Sequence, residues 1–247
     1  MPYPDPPRIV QITEVIREAD QGMTKPILCT GEDGHRYYVK GQQTNRSSLW
    51  REWIAGHLAQ ALGLPIAPFS LVQVDEMLLR ELPFELRAIG PTPAFGSQEL
   101  PGLTWYENSL TPRVDIRVQE GLLIFDWWTR NADRQVGNTN LLWEAVERRL
   151  VVIDHNQAFD ADFDPHGFLQ HHVFASEWGR LQQDWILRDE WVQRMTQALA
   201  VARWACDNGP PEWQWENAEQ DVPANYDPED AIRVLSRCLQ QDFWRAE

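Results

Sequence analysis

The sequence is short of basic residues, of cysteine and of long apolar runs. Against 37 acidic side chains it carries 22 basic ones, a formal net charge of -15. A surface of that sign repels phosphate backbones unless its basic residues cluster, so direct nucleic acid binding is not expected. The cysteines Cys29, Cys206 and Cys238 are odd in number and far apart. Neither a disulfide framework nor a CxxC metal site follows, and packing roles are expected. No apolar stretch approaches the roughly 20 residues of a membrane helix. Met1 to Arg8 is proline-rich and lacks the basic start and apolar run of a secretory signal. A cytoplasmic chain without membrane contact is expected.

What is present can fill a large core. The chain has 247 residues, 43% of them hydrophobic, enough for one large domain or two lobes without covalent staples. Trp50, Trp53, Trp127, Trp128 and Trp143 sit inside apolar patterns and are expected in the core.

The pattern along the chain changes character part-way. From Ile9 to Lys40, brief β-favouring runs are broken by turn chemistry at Ala19 to Thr24 and at Glu32-Asp33-Gly34, the latter joining two strands as a hairpin. A helix is expected from Ser47 or Ser48, with Leu49, Trp53, His57 and Ala61 on one stripe and Gly63 as its stop. Phe69 to Val74 reads as a strand. Residues 86 to 113, rich in Gly and Pro, read as the connection to a mainly helical second part. There, a strongly apolar helix covers Ile116 to Trp127 and a hairpin joins Leu141-Leu142-Trp143 to Leu150-Val151-Val152-Ile153. Further helices are expected at Leu187 to Ala205 and at Pro228 to Phe243, the last capped by Asp227. The fold class is α+β, with a strand-rich lobe at residues 1–85 and a mainly helical lobe at 86–247.

Chemistry concentrates between the apolar helix and the apolar hairpin, in Asn131-Ala132-Asp133-Arg134-Gln135-Val136-Gly137-Asn138-Thr139-Asn140. An Asp and an Asn five residues apart on a loop, followed beyond a hairpin by Asp154, is the order in which kinases place a catalytic carboxylate and magnesium ligands beside ATP. Phosphoryl transfer needs positioning and charge neutralisation, and hard oxygens suit magnesium. Asp133 is the expected base, and Asn138 and Asp154 are the expected metal ligands. Upstream, Lys40 ends a strand and Glu52 lies on the next helix, the order of a phosphate-holding lysine and its helix carboxylate, which should pair. Gly22 and Thr24 stand where a phosphate loop would be, without a GxGxxG pattern. Singly, each of these residues could be a turn, cap or surface residue; together, in this order, they indicate a site.

At these residues the sequence resembles the HipA-like kinase family, in its short single-domain branch, and more distantly the phosphoinositide kinases. The resemblance runs over roughly residues 9 to 180. It is carried by Tyr37-Tyr38-Val39-Lys40, Arg51-Glu52-Trp53, Leu62-Gly63-Leu64-Pro65, the 131–140 loop, Ile153-Asp154-His155 and Ala158-Phe159. It implies a two-lobed protein-kinase-like fold, ATP and Mg2+, phosphorylation of Ser or Thr on a protein substrate, and a toxin-like role with an antitoxin-like partner. Gln135 departs from the histidine many relatives carry after Asp-Arg. By analogy with the lobe connection, adenine contacts are expected between Leu79 and Ile89.

Other readings compete. A small-molecule or lipid kinase would use the same residues, and a pseudokinase-like module would bind nucleotide or partner without turnover. Asp160, Asp162 and Asp164 begin like a calcium loop, but Pro165 stands at the glycine position and His171 at that of the bidentate glutamate, so a polar loop is expected. His155 is expected to orient its neighbours. Pro210 to Asn217, with Trp213 and Trp215, reads as a solvated connector, or else a partner-binding segment.

Overall fold

A computed structural model of the chain describes residues 7–19, 25–217 and 219–245. The N-terminal part is built on strands β1 (Ile9–Glu18), β2 (Ile27–Gly31), β3 (Arg36–Lys40), β4 (Phe69–Val74) and β5 (Ala94–Gln98). They close into a barrel in the order β1-β2-β3-β5-β4, with β1 parallel to β4 and the other neighbours antiparallel. Local chemistry fixes the β2–β3 hairpin. Asp33 accepts from the His35 amide at 3.1 Å and the Tyr37 hydroxyl at 2.7 Å, while Gly34 takes φ +80°. The turn joining β1 to β2, with Gly22 and Thr24, lies outside the described residues at 20–24.

Helix α1 (Arg46–Ala61) crosses between β3 and β4. Its cap is Asn45, whose side chain accepts from the Ser48 amide at 2.7 Å, so the helix begins before either serine expected to cap it. Gly63, at φ +70°, ends it. After β4 come α2 (Glu76–Glu81) and a short 3-10 turn; Leu79, Leu82 and Ile89 join Val10, Ile12 and Val39 in the barrel core. The expected connection at 86 to 113 therefore contains a barrel strand. β5 pairs with both β3 and β4, and only beyond Gln98 does the chain leave the barrel.

The C-terminal part has α3 (Ile116–Thr129), α4 (Pro165–His171), α5 (Trp178–Gln183), α6 (Trp185–Asp207) and α7 (Pro228–Leu235). A three-stranded sheet β6 (Leu103–Trp105), β7 (Leu141–Glu144) and β8 (Arg149–Val152) faces the barrel side. α3 is buried along most of its length, as a helix apolar on all sides must be. Trp127 and Trp128 are fully packed, and their indoles donate to the Phe243 and Leu235 carbonyls at 2.8 Å each. Asp227 caps α7, which ends at Leu235 rather than reaching Phe243; a 3-10 turn at Ser236–Leu239 follows.

Two further expectations are revised. Pro210 to Asn217 is not a solvated connector: Trp213 is 0% exposed, inside the main core. The aspartates after Asp154 serve local structure, Asp160 accepting from the Asp162 amide and Asp164 capping α4. Cys29 and Cys238 are buried free thiols and Cys206 is partly buried. Among the described residues, no helix is long and apolar enough to cross a membrane.

Candidate active site

A cleft of about 980 Å³ opens between the barrel and the helical part. Tyr38, Lys40, Phe69 and Phe95 line it from the barrel, residues 98–108 form one wall, and Val136 to Asn140 with Val152 to His155 form the floor. None of Leu79 to Ile89 reaches it. Leu79, Leu82 and Ile89 pack in the barrel core instead, and the chain that follows β5 lines the cleft.

Lys40 stands at the centre. Its position at the end of β3 opposite Phe95 of β5 points the side chain into the cleft, while α1 brings Glu52 beneath it. Lys40 Nζ lies 2.5 Å from Glu52 Oε1 and 2.9 Å from Asp154 Oδ1. Burial opposes the ammonium, but the two carboxylates outweigh it and raise the Lys40 pKa. Glu52 is driven the other way: burial would raise its pKa, yet Lys40 and the hydrogen bonding at His155 bring it well below the usual carboxylate range. Asp154 is raised, first by burial and then by the neighbouring negative charge of Glu52, with Lys40 opposing. The asymmetry follows from Glu52 having the shorter ion pair and the His155 amide, which donates to Glu52 Oε2 at 2.9 Å.

Asp133 sits on the loop after α3. Its carboxylate accepts from Asn138 Nδ2 at 3.1 Å and from Asn140 Nδ2 at 2.8 Å, one amide to each oxygen. Each oxygen retains a further acceptor site. Sequence reasoning gave no role to Asn140, nor to the buried centre that holds this loop. Asp126, inside α3, accepts from Arg134 Nε at 2.7 Å and Asn131 Nδ2 at 2.9 Å, and His172 Nε2 lies 3.0 Å away. Arg134 then donates through Nη1 to the carbonyls of Asn140 at 2.8 Å and Ile153 at 3.3 Å. One guanidinium thus ties the Asp133 loop to the residue before Asp154. The signal was in the sequence: a carboxylate inside an otherwise apolar helix must find a buried partner.

Backbone strain gathers at the same place. Arg130, Asn140, Asp154 and Phe159 all adopt left-handed φ values between +48° and +60°. Of the residues expected at the site, Lys40, Glu52, Asn138 and Asp154 line one cleft, and Asp133 is hydrogen-bonded to Asn138 there. Gly22 and Thr24 lie outside the described residues.

The sequence pattern of the family described as HipA-like kinase matches residues 12–247. The chain belongs to the HipA-like kinase family. The match extends past the 9 to 180 span of the motifs and takes in the whole helical part of this HipA-like kinase. A comparison with curated proteins found no match. Among solved structures, the Helicobacter pylori proinflammatory kinase CtkA aligns over 97% of this chain and 97% of its own, with 9% identity and a TM-score of 0.53. The Golgi casein kinase, solved with Mn and ADP bound, aligns over 98% of this chain and 72% of its own, with 14% identity and a TM-score of 0.47. CtkA is similar in fold, and the fold is protein-kinase-like: a strand-rich N-terminal part over a mainly helical C-terminal part.

Proposed function

We propose that this HipA-like kinase transfers the γ-phosphoryl group of ATP, with Mg2+, to a Ser or Thr hydroxyl of a protein substrate. The observation that carries the reading is Lys40, held between Glu52 and Asp154 in a cleft that Asn138 also lines, with Asp133 bonded to Asn138. In kinases the lysine-to-helix-carboxylate pair and the metal-binding aspartate must both be in place for transfer.

The residues fit a magnesium ion. One ammonium against two carboxylates leaves the Lys40 centre with excess negative charge, and Asn138 spends its amide nitrogen on Asp133, which leaves its oxygen for other partners. Among the described residues no group of three His, Cys, Asp or Glu side chains is placed to hold a metal. Magnesium takes one or two carboxylates and completes its shell with phosphate oxygens and water. Asp154 and Asn138 would be its ligands, and when bound it neutralises charge developing on the phosphoryl oxygens.

In the transfer, the acceptor oxygen bonds to the γ-phosphorus as the bond to the β–γ bridging oxygen breaks and ADP leaves. Asp133 receives the hydroxyl proton, oriented by Asn138 and Asn140. Lys40 holds the phosphates, and Glu52 keeps Lys40 extended toward them. A protein acceptor rests on the family resemblance; Trp105 at 48% and Val136 at 58% exposed are the exposed apolar side chains beside the cleft. A toxin-like role with an antitoxin-like partner rests on the family resemblance.

Incubation with γ-labelled ATP and magnesium tests the acceptor class, in the presence of a whole-cell extract that keeps both its proteins and its small molecules. Phosphoserine or phosphothreonine in the labelled protein is expected. Label confined to small molecules or released phosphate would contradict the protein acceptor.

A further inference from the structure

Helix α1, which carries Glu52, is gripped by the end of α6 and the chain that follows it. Trp53 Nε1 donates to the Ala205 carbonyl at 2.9 Å, Trp50 Nε1 to the Trp213 carbonyl at 3.2 Å, and Arg46 Nε to the Trp215 carbonyl at 2.9 Å. Trp213 is itself fully buried. Its Nε1 donates to the Pro93 carbonyl at 2.7 Å, and its ring meets Trp50 edge-on at 5.7 Å. Gly209 permits the approach, since a Cβ there would lie 2.2 Å from the Trp50 ring.

These contacts reach the neighbourhood of both members of the central ion pair in sequence. Trp50 is two residues from Glu52 on α1, and Pro93 is two residues from Phe95, the strand partner of Lys40. One indole therefore bridges the element carrying the carboxylate and the strand flanking the lysine.

We propose that the strap at residues 208–215, acting through Trp213, holds α1 where Glu52 meets Lys40, making Trp213 a positioning residue for phosphoryl transfer. This rests on the kinase reading above. Control of the helix that bears the carboxylate is how kinases assemble or dismantle this pair, and misplacement by about 1 Å costs on the order of 100-fold in rate.

The test is Trp213→Phe, which keeps an apolar ring and removes the donor to Pro93. The turnover number is expected to fall roughly 10- to 100-fold with little change in KM for ATP. Amide exchange across 46–61 should accelerate while that of 185–207 stays at the wild-type rate. In a Glu52→Gln background, adding Trp213→Phe should lower turnover by less than about 2-fold, because both changes act through one pair. Independent, multiplying effects, or unchanged exchange across α1, would overturn the proposal. If Trp213→Phe does not fold, Arg46→Gln, at the strap's other end, takes its place in the same comparison. A wild-type protein that transfers no label would defeat the kinase reading, while exchange across α1 would still decide the role of the strap.

Discussion

Lys40 Nζ donates to Asp154 Oδ1 at 2.9 Å, across 114 residues of sequence. The contact joins the barrel to the helical part at one ammonium, and Glu52 anchors that ammonium from α1. The behaviour of the cleft follows from how this shared charge is divided.

Replacing Glu52 with glutamine leaves Lys40 to Asp154 alone. Both then engage each other instead of the nucleotide, and transfer is expected to fall roughly 100-fold by steady-state assay with KM for ATP raised. Glu52→Ala should in addition lower the unfolding free energy by about 3 kcal/mol or more in urea titration, because it empties a buried site beside a buried ammonium.

Asp126 is the buried centre on which the loops of Asp133 and Asp154 converge, through Arg134. Burial raises its pKa, but Arg134 and His172 more than reverse this and keep it ionised. Asp126→Ala strands the Arg134 guanidinium and should destabilise by about 3–5 kcal/mol. Urea unfolding measures the loss; a change below about 1 kcal/mol would contradict the role assigned to Asp126.

Asn140→Ala removes one of the two amides on Asp133 and leaves Asn138. Turnover is expected to drop by roughly 10-fold, a fraction of the general-base contribution, without a change in the magnesium dependence. Asn138→Ala should instead shift the magnesium requirement upward, since it is a proposed ligand. Parallel magnesium titrations of the two variants distinguish them.

His57 packs among Trp53, Phe69 and Trp204, and neither ring nitrogen has a hydrogen-bond partner. Burial holds its pKa down to about 4, against 6.5 for an ordinary histidine. Above pH 6.5 the ring is neutral folded or unfolded and contributes no pH dependence. Between pH 6.5 and 4 the unfolded chain binds the extra proton, so stability falls with pH, by about 3 kcal/mol in full. His57→Phe, which fills the cage without a titrating group, should remove that part of the slope. Chemical unfolding at pH 7, 5.5 and 4.5 reads the difference between the two proteins.

Much of this was legible because local chemistry and tertiary context agree. The β2–β3 hairpin, α1 and α3 carry turn residues and apolar stripes that only one packing satisfies, and the polar loop between α3 and β7 stood out against apolar flanks. Where context overrides local pattern, the reading failed. β5 hides in a glycine- and proline-rich stretch because it is only five residues long and its buried hydrophobic side chains are just Ala94 and Phe95, too few for a periodic pattern. Trp213 lies among prolines and acidic residues, and its burial depends on Trp50, 163 residues away.

The most direct test of the account is magnesium-dependent transfer from γ-labelled ATP by wild type and Asp154→Ala, with nucleotide binding and melting temperature measured on both. Asp154→Ala frees Lys40 from one of its two carboxylates but removes the carboxylate proposed to hold the metal. The account predicts label transfer by wild type, its loss in the variant, and a folded variant. A wild type that binds no nucleotide, or a variant that transfers label at the wild-type rate, would contradict it.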